Sequence, residues 1–288
     1  MKTLREYISE AKEKGIAIGH FNISNLEAFN AIYESAKELN VPVIIGVSEG
    51  EREFTGITQV ASLVKGIREK ENFPIFLNAD HTYTFEKVKE AIDAGFDSAI
   101  FDGAKMSLEE NIAETKKCVE YAKACGRDVL IEGELGYIGQ SSKILDAIPE
   151  GAGTEGVALT NDADAKKYVE ETGVDLFAPA VGNIHGMLKN VPDPRLDIER
   201  VKSISSITGL PLVLHGASGN SKEDIQAAIK AGVSIVHINT EIRVAFKEGL
   251  VHSMTENPDE IAPYKILKEA EEEVKKTVTE KLKIFNFL

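Results

Sequence analysis

Apolar and polar positions follow two alternating rhythms along the chain. Short, nearly continuous apolar runs recur at "IAIGHFN" (16–22), "PVIIGVSEG" (42–50), "FPIFLNADH" (73–81), "SAIFDG" (98–103), "DVLIEGELG" (128–136), "LFAPAVGNIHG" (176–186), "PLVLHGASG" (211–219) and "SIVHINTE" (234–241). Between them the spacing becomes helical, as in "TFEKVKEAIDAGFD" (84–97) and "SKEDIQAAIKAGV" (221–233). Several of these stretches close on glycine just before the next run, where a helix C-cap belongs. Continuous apolar runs suit strands buried on both faces, and helices between them make the strands parallel. Eight strands, seven helical crossovers and helical sequence after the last strand predict an α/β fold closed as a (β/α)8 TIM barrel. An open doubly wound sheet would want a glycine-rich fingerprint after its first strand, and "FNISNLE" has none. No repeat or linker divides the chain, so 1–288 is expected to form a single barrel domain. Residues 258–288 are expected to be a C-terminal helical extension, a long charged helix that either covers the barrel flank or makes an oligomer contact.

Composition narrows the classes of function. With 288 residues, 43% of them hydrophobic, the chain can bury a full core. A net charge of −14 argues against nucleic acid or a polybasic membrane contact as partner. An anionic ligand would need a locally electropositive site built from backbone N–H groups, a metal or a few lysines. The opening "MKTLREYISEAKEKG" is charged and helix-like, without an apolar signal core, and no run reaches the roughly 18 apolar residues of a membrane span. A cytoplasmic protein is expected. Cys118 and Cys125 lie seven residues apart in a helical pattern. That is about 10 Å of rise, beyond disulfide reach, so both thiols are expected to be free.

The active face of such a barrel is formed by the C-terminal strand ends. These ends carry Asn22, Ser48, Asp80 with His81, Asp102, Glu132 with Glu134, His185, His215 and Asn239. Five of the eight finish in an acid or a histidine, and four of the six histidines (81, 185, 215 and 237) sit at or near them. Three imidazoles, His81, His185 and His215, with an open position would suit a catalytic zinc ion. Glu134 is a further or alternate metal ligand, or else a salt-bridged rim carboxylate. Asp102 fits a place behind a ligand, accepting its second N–H.

The loops after strands six to eight, "GNIHGMLK", "HGASG" and "NTEI", are rich in Gly, Ser, Thr and Asn, and two lead straight into helices. Such loops bind phosphate through backbone N–H groups, although tight-turn geometry alone also explains glycines. Lys189 could add charge. A metal beside a phosphate pocket suits Lewis-acid chemistry on a phosphorylated carbonyl compound, with Asp80 as general acid/base. A Schiff-base route needs a lysine at a strand end, and none of the eight ends in one.

At these residues the chain resembles the zinc-dependent class II ketose-bisphosphate aldolases. The likeness runs through "FNISNLE", "PVIIGVSEG", "ADH", "IEGELG", "VGNIHG", "LVLHGASG" and "PYKILKEA" in the family order. It implies a homodimer or homotetramer that reversibly cleaves fructose 1,6-bisphosphate to dihydroxyacetone phosphate and glyceraldehyde 3-phosphate. It also implies one catalytic Zn2+ per subunit at His81, His185 and His215, with Glu134 and Asp102 near an alternate metal position. Asp80 and His237 form the expected catalytic set. The expected substrate-binding set is Asn22, Ser48, Gly186, Lys189, Gly216, Ala217, Ser218, Asn239 and Thr240. A monovalent cation, Na+ or K+, near the phosphate is a further family habit, with the Gly182 and Gly216 carbonyls as contacts.

Three departures from the family pattern bear on the chemistry. His237 stands where the family has the asparagine that touches the enediolate, and His20 stands where it has a small residue. The two share inward parity on neighbouring strands, so they are expected to meet, either reshaping the pocket or reaching the metal, or else as a packed, hydrogen-bonded pair. Third, the loop after "ELG" reads "YIGQSSKI" and lacks the family's proton-abstracting glutamate. Segment 137–160 has the length of a mobile lid, from which Glu150 or Glu155 could reach the site, or it is a plain loop. Tagatose 1,6-bisphosphate or another phosphorylated ketose is the alternative substrate. A noncatalytic sugar-phosphate-binding relative and a zinc hydrolase are the alternative classes.

Overall fold

The computed structural model describes every residue except 1, 140–141, 149, 151, 153–158, 190 and 192. Eight parallel strands close a barrel: Ile18–Asn22, Val43–Val47, Ile75–Thr82, Ser98–Phe101, Leu130–Leu135, Leu176–Pro179, Leu212–Leu214 and Val233–Ile238. They neighbour one another in chain order, and the first pairs with the eighth, His20 opposite His237. The expected (β/α)8 barrel is what forms, with each apolar run supplying one strand.

The strands are apolar throughout because both of their faces are buried. Outward residues such as Phe21, Ile45, Leu77 and Phe177 pack under the helices. Inward residues divide by height. Near the strand starts Ile18, Ile44, Phe76, Leu130, Leu176, Val213 and Ile235 fill the lumen. Leu4, Ile8 and Ala11 of the N-terminal helix Leu4–Lys14 plug it from below. One pleat higher on the same parity come His20, Gly46, Asn78, Glu132, His215 and His237. The lumen thus changes from hydrocarbon to a largely polar layer with four ionisable groups, His20, Glu132, His215 and His237, within two residues of strand.

The C-terminal segment differs from the single helix expected over 258–288. It forms one short turn, Pro263–Ile266, and then a helix at Lys268–Asn286. Two prolines, 258 and 263, lack the N–H that a continuous helix would need. Ala270, Val274, Val278, Leu282 and Phe285 of the later helix are buried. They pack between helices Leu26–Leu39 and Thr240–Glu256 and against the first strand, where the Ala17 amide donates to the Phe285 carbonyl at 3.1 Å. This helix covers the seam where the barrel closes. Cys118 and Cys125 are both free.

Candidate active site

Neighbouring residues of a regular strand point to opposite faces, yet Asp80 and His81 both line one cavity at the barrel mouth. The third strand achieves this by slipping its register against the fourth between Ala79 and Thr82, with His81 at φ 32°. Positive φ is uncommon for a non-glycine residue and persists only where its surroundings impose it. Buried Arg52 supplies part of that restraint. Its guanidinium donates to the Val47 carbonyl at 2.6 Å, the Asp80 carbonyl at 3.3 Å and the Thr82 hydroxyl at 3.1 Å.

His81, His185 and His215 converge, each offering a nitrogen within 4.8 Å of the others. His81 Nδ1 lies 2.9 Å from Asp102 Oδ2, and His215 Nε2 lies 2.7 Å from Glu132 Oε1. The nitrogens left over, His81 Nε2 and His215 Nδ1, are buried without a partner among the described residues, as is His185 Nε2. A carboxylate on one ring nitrogen and a free second nitrogen is the arrangement of a metal-binding imidazole. Glu134 Oε2, also unpartnered, approaches His81 Nδ1 at 3.5 Å, and His81, Asp102 and Glu134 form a second group with metal-binding spacing.

The electrostatics suit a cation. Burial and the neighbouring Asp102 push the Glu134 carboxyl up to about 8. Burial alone would lower His81, but Asp80, Asp102 and Glu134 outweigh it and hold the imidazole well above its ordinary value. His185, by contrast, is pushed well below it by burial and by His81 and His215.

Asp80 is 3% exposed. One amide, Asn22 Nδ2, donates both to its Oδ2 and to Glu51 Oε2, each at 2.8 Å. That leaves Oδ1 facing His237 Nδ1 at 3.5 Å and His81 Nε2 at 3.8 Å. Burial would raise the Asp80 carboxyl, but the imidazoles around it win and hold it well below the usual carboxylate range. His237 lies flat on His20, ring centroids 3.4 Å apart and planes within 5°. Both face inward, and neither nitrogen of His20 has a partner among the described residues. Burial above all lowers His20 to about 4, and burial with His20 and His215 beside it holds His237 well below its ordinary value.

Beside the histidines the cavity, about 220 Å³, is walled by Gly186, Gly216, Ser218, Asn239 and Thr240. A Cβ on Gly216, at φ 59°, would meet the Ile184 carbonyl oxygen at 2.2 Å, so only glycine lets the sixth and seventh loops approach this closely. Asn183 Nδ2 ties them by donating to the His215 carbonyl at 2.9 Å. Helix Thr240–Glu256 opens onto the cavity, and its N-cap Asn239 makes no capping side-chain bond; the Glu241 amide donates to Ser218 Oγ at 3.4 Å, so the Thr240 and Ile242 amides are the first-turn donors an anion could use.

The family model for class-II fructose-bisphosphate aldolase matches residues 2–287. The chain belongs to that family. It is 39% identical over 286 residues to fructose-bisphosphate aldolase of Staphylococcus aureus, covering 98% of this chain and 96% of that one. The corresponding protein of Geobacillus stearothermophilus is 38% identical over 287 residues, with the same coverage. Among solved structures, the YdjI aldolase of Escherichia coli K12 superposes with a TM-score of 0.82 at 30% identity, covering 98% of this chain and 96% of that one. Class II aldolases are lyases and are zinc-dependent as a family, and the donor set just described fits such an ion.

Against the aldolase pattern, Asn22, Ser48, Asp80, Asp102 and His237 line the cavity with the three histidines and the anion wall, and Glu134 lies buried beside them. Ala217 is buried between two lining residues. Lys189 does not line the cavity. It is exposed, its amide donating to the Leu145 carbonyl where Ile144–Leu145 pairs with Met187–Leu188. Glu150 is exposed, and Glu155 lies outside the described residues. Strand ends alone gave no sign of Glu51, Arg52 or Arg243. Arg243 lines the cavity and reaches Glu51 Oε1 at 2.8 Å. Its signal was its position, one helical turn past Asn239.

Proposed function

We propose that the chain is a zinc-dependent aldolase that reversibly cleaves fructose 1,6-bisphosphate to dihydroxyacetone phosphate and glyceraldehyde 3-phosphate. The observation that carries this reading is the convergence of three buried, unpartnered imidazole nitrogens beside the Asp80 carboxylate. His81, His185 and His215 would hold the ion, with Glu134 and Asp102 offering a second position. Bound there, zinc supplies Lewis-acid polarisation of the ketone carbonyl. Asp80 takes the proton of the C4 hydroxyl, the C3–C4 bond breaks with its electron pair moving toward C2, and C3 gains a proton from solvent while Asp80 returns its own to solvent, so the proton count closes. Asn22 fixes one Asp80 oxygen so that the other serves the substrate. Gly186, Gly216, Ala217, Ser218, Asn239 and Thr240 hold the phosphate of the ketone fragment, with Lys189 reaching it only if its loop closes. Arg243 and Ser48 also line the cavity and could contact a second phosphate. The Gly182 and Gly216 carbonyls would contact a monovalent cation.

A second reading keeps the chemistry and changes the ketose, tagatose 1,6-bisphosphate being the nearest case. The stacked His20–His237 pair favours it, since an imidazole at 237 presents a different shape and hydrogen-bonding edge from an amide. A noncatalytic relative is disfavoured by the intact Asp80 and ligand set. Exposed Val251, Met254, Ile261 and Tyr264 support a homodimer or homotetramer, and two free thiols support a cytoplasmic setting. The barrel and its C-terminal helices are read as a single domain.

The test is a coupled triose-phosphate assay with fructose 1,6-bisphosphate before chelation, after it, and after zinc is restored. Activity lost and regained supports the metal mechanism. No cleavage by the zinc-loaded protein would move the assignment to another phosphorylated ketose, to be sought in a substrate panel.

A further inference from the structure

The proposed phosphate wall is backed by acid. Glu241 lies in the first turn of helix Thr240–Glu256, directly after Asn239 and Thr240. Its Oε1 accepts the Gly219 amide at 2.9 Å, and its own amide lies 3.4 Å from Ser218 Oγ. Asp193, which is buried, accepts the Leu188 amide at 2.8 Å, and its second oxygen has no partner among the described residues. That oxygen lies against Gly219, where an added Cβ would meet it at 2.3 Å. Two carboxylates therefore stand behind the loop that would receive a dianion. A carboxylate in a first turn complements the helix dipole, but it opposes a phosphate at the same helix end.

The compensating charge comes from the far end of the chain. Lys281, on the C-terminal helix, is 8% exposed and places Nζ 2.7 Å from Glu241 Oε1. Lysine is almost never this buried unless it is paired. It does not line the cavity, and Glu241 is the acid it touches.

We propose that Lys281 is the counter-charge of the phosphate wall, so that the C-terminal helix sets affinity for the phosphorylated end of the substrate. The inference rests on the reading of that wall as a phosphate site. Lys281 is a positioning and charge-balancing residue: it neutralises Glu241 and holds its carboxylate on the Gly219 amide.

The experiment measures inorganic phosphate binding to the zinc-loaded full-length chain by calorimetry, with KM and kcat for the bisphosphate alongside. Lys281→Met should weaken phosphate binding about tenfold and raise KM to match, with kcat within about twofold, because one unit charge near a dianion is removed in a low-dielectric setting. Lys281→Arg should restore most of the affinity, and adding Glu241→Gln to Lys281→Met should do the same. If Lys281→Met does not fold, Glu241→Gln alone, which keeps the lysine, should tighten phosphate binding severalfold. Unchanged phosphate affinity in both single variants overturns the inference while leaving the phosphate site standing. Wild-type protein that binds no phosphate removes the site and the inference together.

Discussion

Gly46→Ala tests how far the stacked histidines are built into the barrel. The residue is not at positive φ, so alanine meets no backbone strain and by itself should add about 0.4–1 kcal/mol by restricting the unfolded chain. The side chain is another matter. A Cβ at 46 would meet His20 Cε1 at 2.1 Å, Nε2 at 2.6 Å and Nδ1 at 3.0 Å, against an ordinary contact of at least 3.4 Å. The ring would have to retreat by about 1 Å, and His237 already lies flat on it at 3.4 Å. Overpacking of this kind costs about 1–3 kcal/mol, and the fixed ring places this site at the upper end. The expected net loss is about 2 kcal/mol in urea unfolding of the zinc-loaded protein. Displacement of His237, 3.5 Å from Asp80, should also lower kcat about tenfold or more. His20→Ala removes the obstacle, so Gly46→Ala in that background should cost nothing further. Simple additivity of the two substitutions would refute the slot, as would a Gly46→Ala protein with unchanged stability and rate.

Other expectations follow from neighbouring features. His185→Ala should abolish cleavage and reduce bound zinc measured by elemental analysis, with circular dichroism unchanged; full zinc occupancy would remove it from the ligand set. Arg52→Met strips three acceptors of a buried donor and should destabilise the protein by about 2–4 kcal/mol in chemical denaturation. A cost below about 0.5 kcal/mol would mean that the bulge at Asp80–His81 needs no such brace. Burial, with Glu114 nearby, pushes the Cys118 thiol up to about 12, whereas Cys125 is partly exposed. Native protein treated with iodoacetamide at pH 8 should take no more than one adduct by intact mass, and a second adduct would contradict the closed packing around Cys118.

The barrel was legible because each strand is written as its own apolar run, and the metal set because three histidines fall at the ends of such runs. His20 and His237 were legible as a pair by parity, since closure of the barrel makes their strands neighbours. What period and position do not encode is deviation from regularity. Two successive residues, Asp80 and His81, share a cavity only through a bulge, and nothing in "NADHTY" announces one. Glu51, Arg52 and Arg243 reach the site from helices beside strand ends, so reading the strand ends alone passes over them. Lys189 follows the glycine-rich loop in sequence, but before reaching it the chain runs on past the cavity into the half-buried strand pair. In the C-terminal stretch the charge pattern is continuous, and only prolines 258 and 263 mark the break between the short turn and the helix.

The seam between residues 20 and 237 also carries a consequence for synthesis. More than 200 residues separate the two histidines, so the first strand waits for the eighth, and the covering helix Lys268–Asn286 emerges later still. At about 5–20 residues per second, a ribosome needs roughly 10–40 s to span that gap. Throughout that interval the growing chain has an unpaired strand edge and an incomplete lumen, and of the candidate site's residues Asp80, His81, His185, His215 and His237 the last is made only at its end. Chain closure and completion of the candidate catalytic centre are therefore one late event, and a nascent chain that stalls before the last strand has neither.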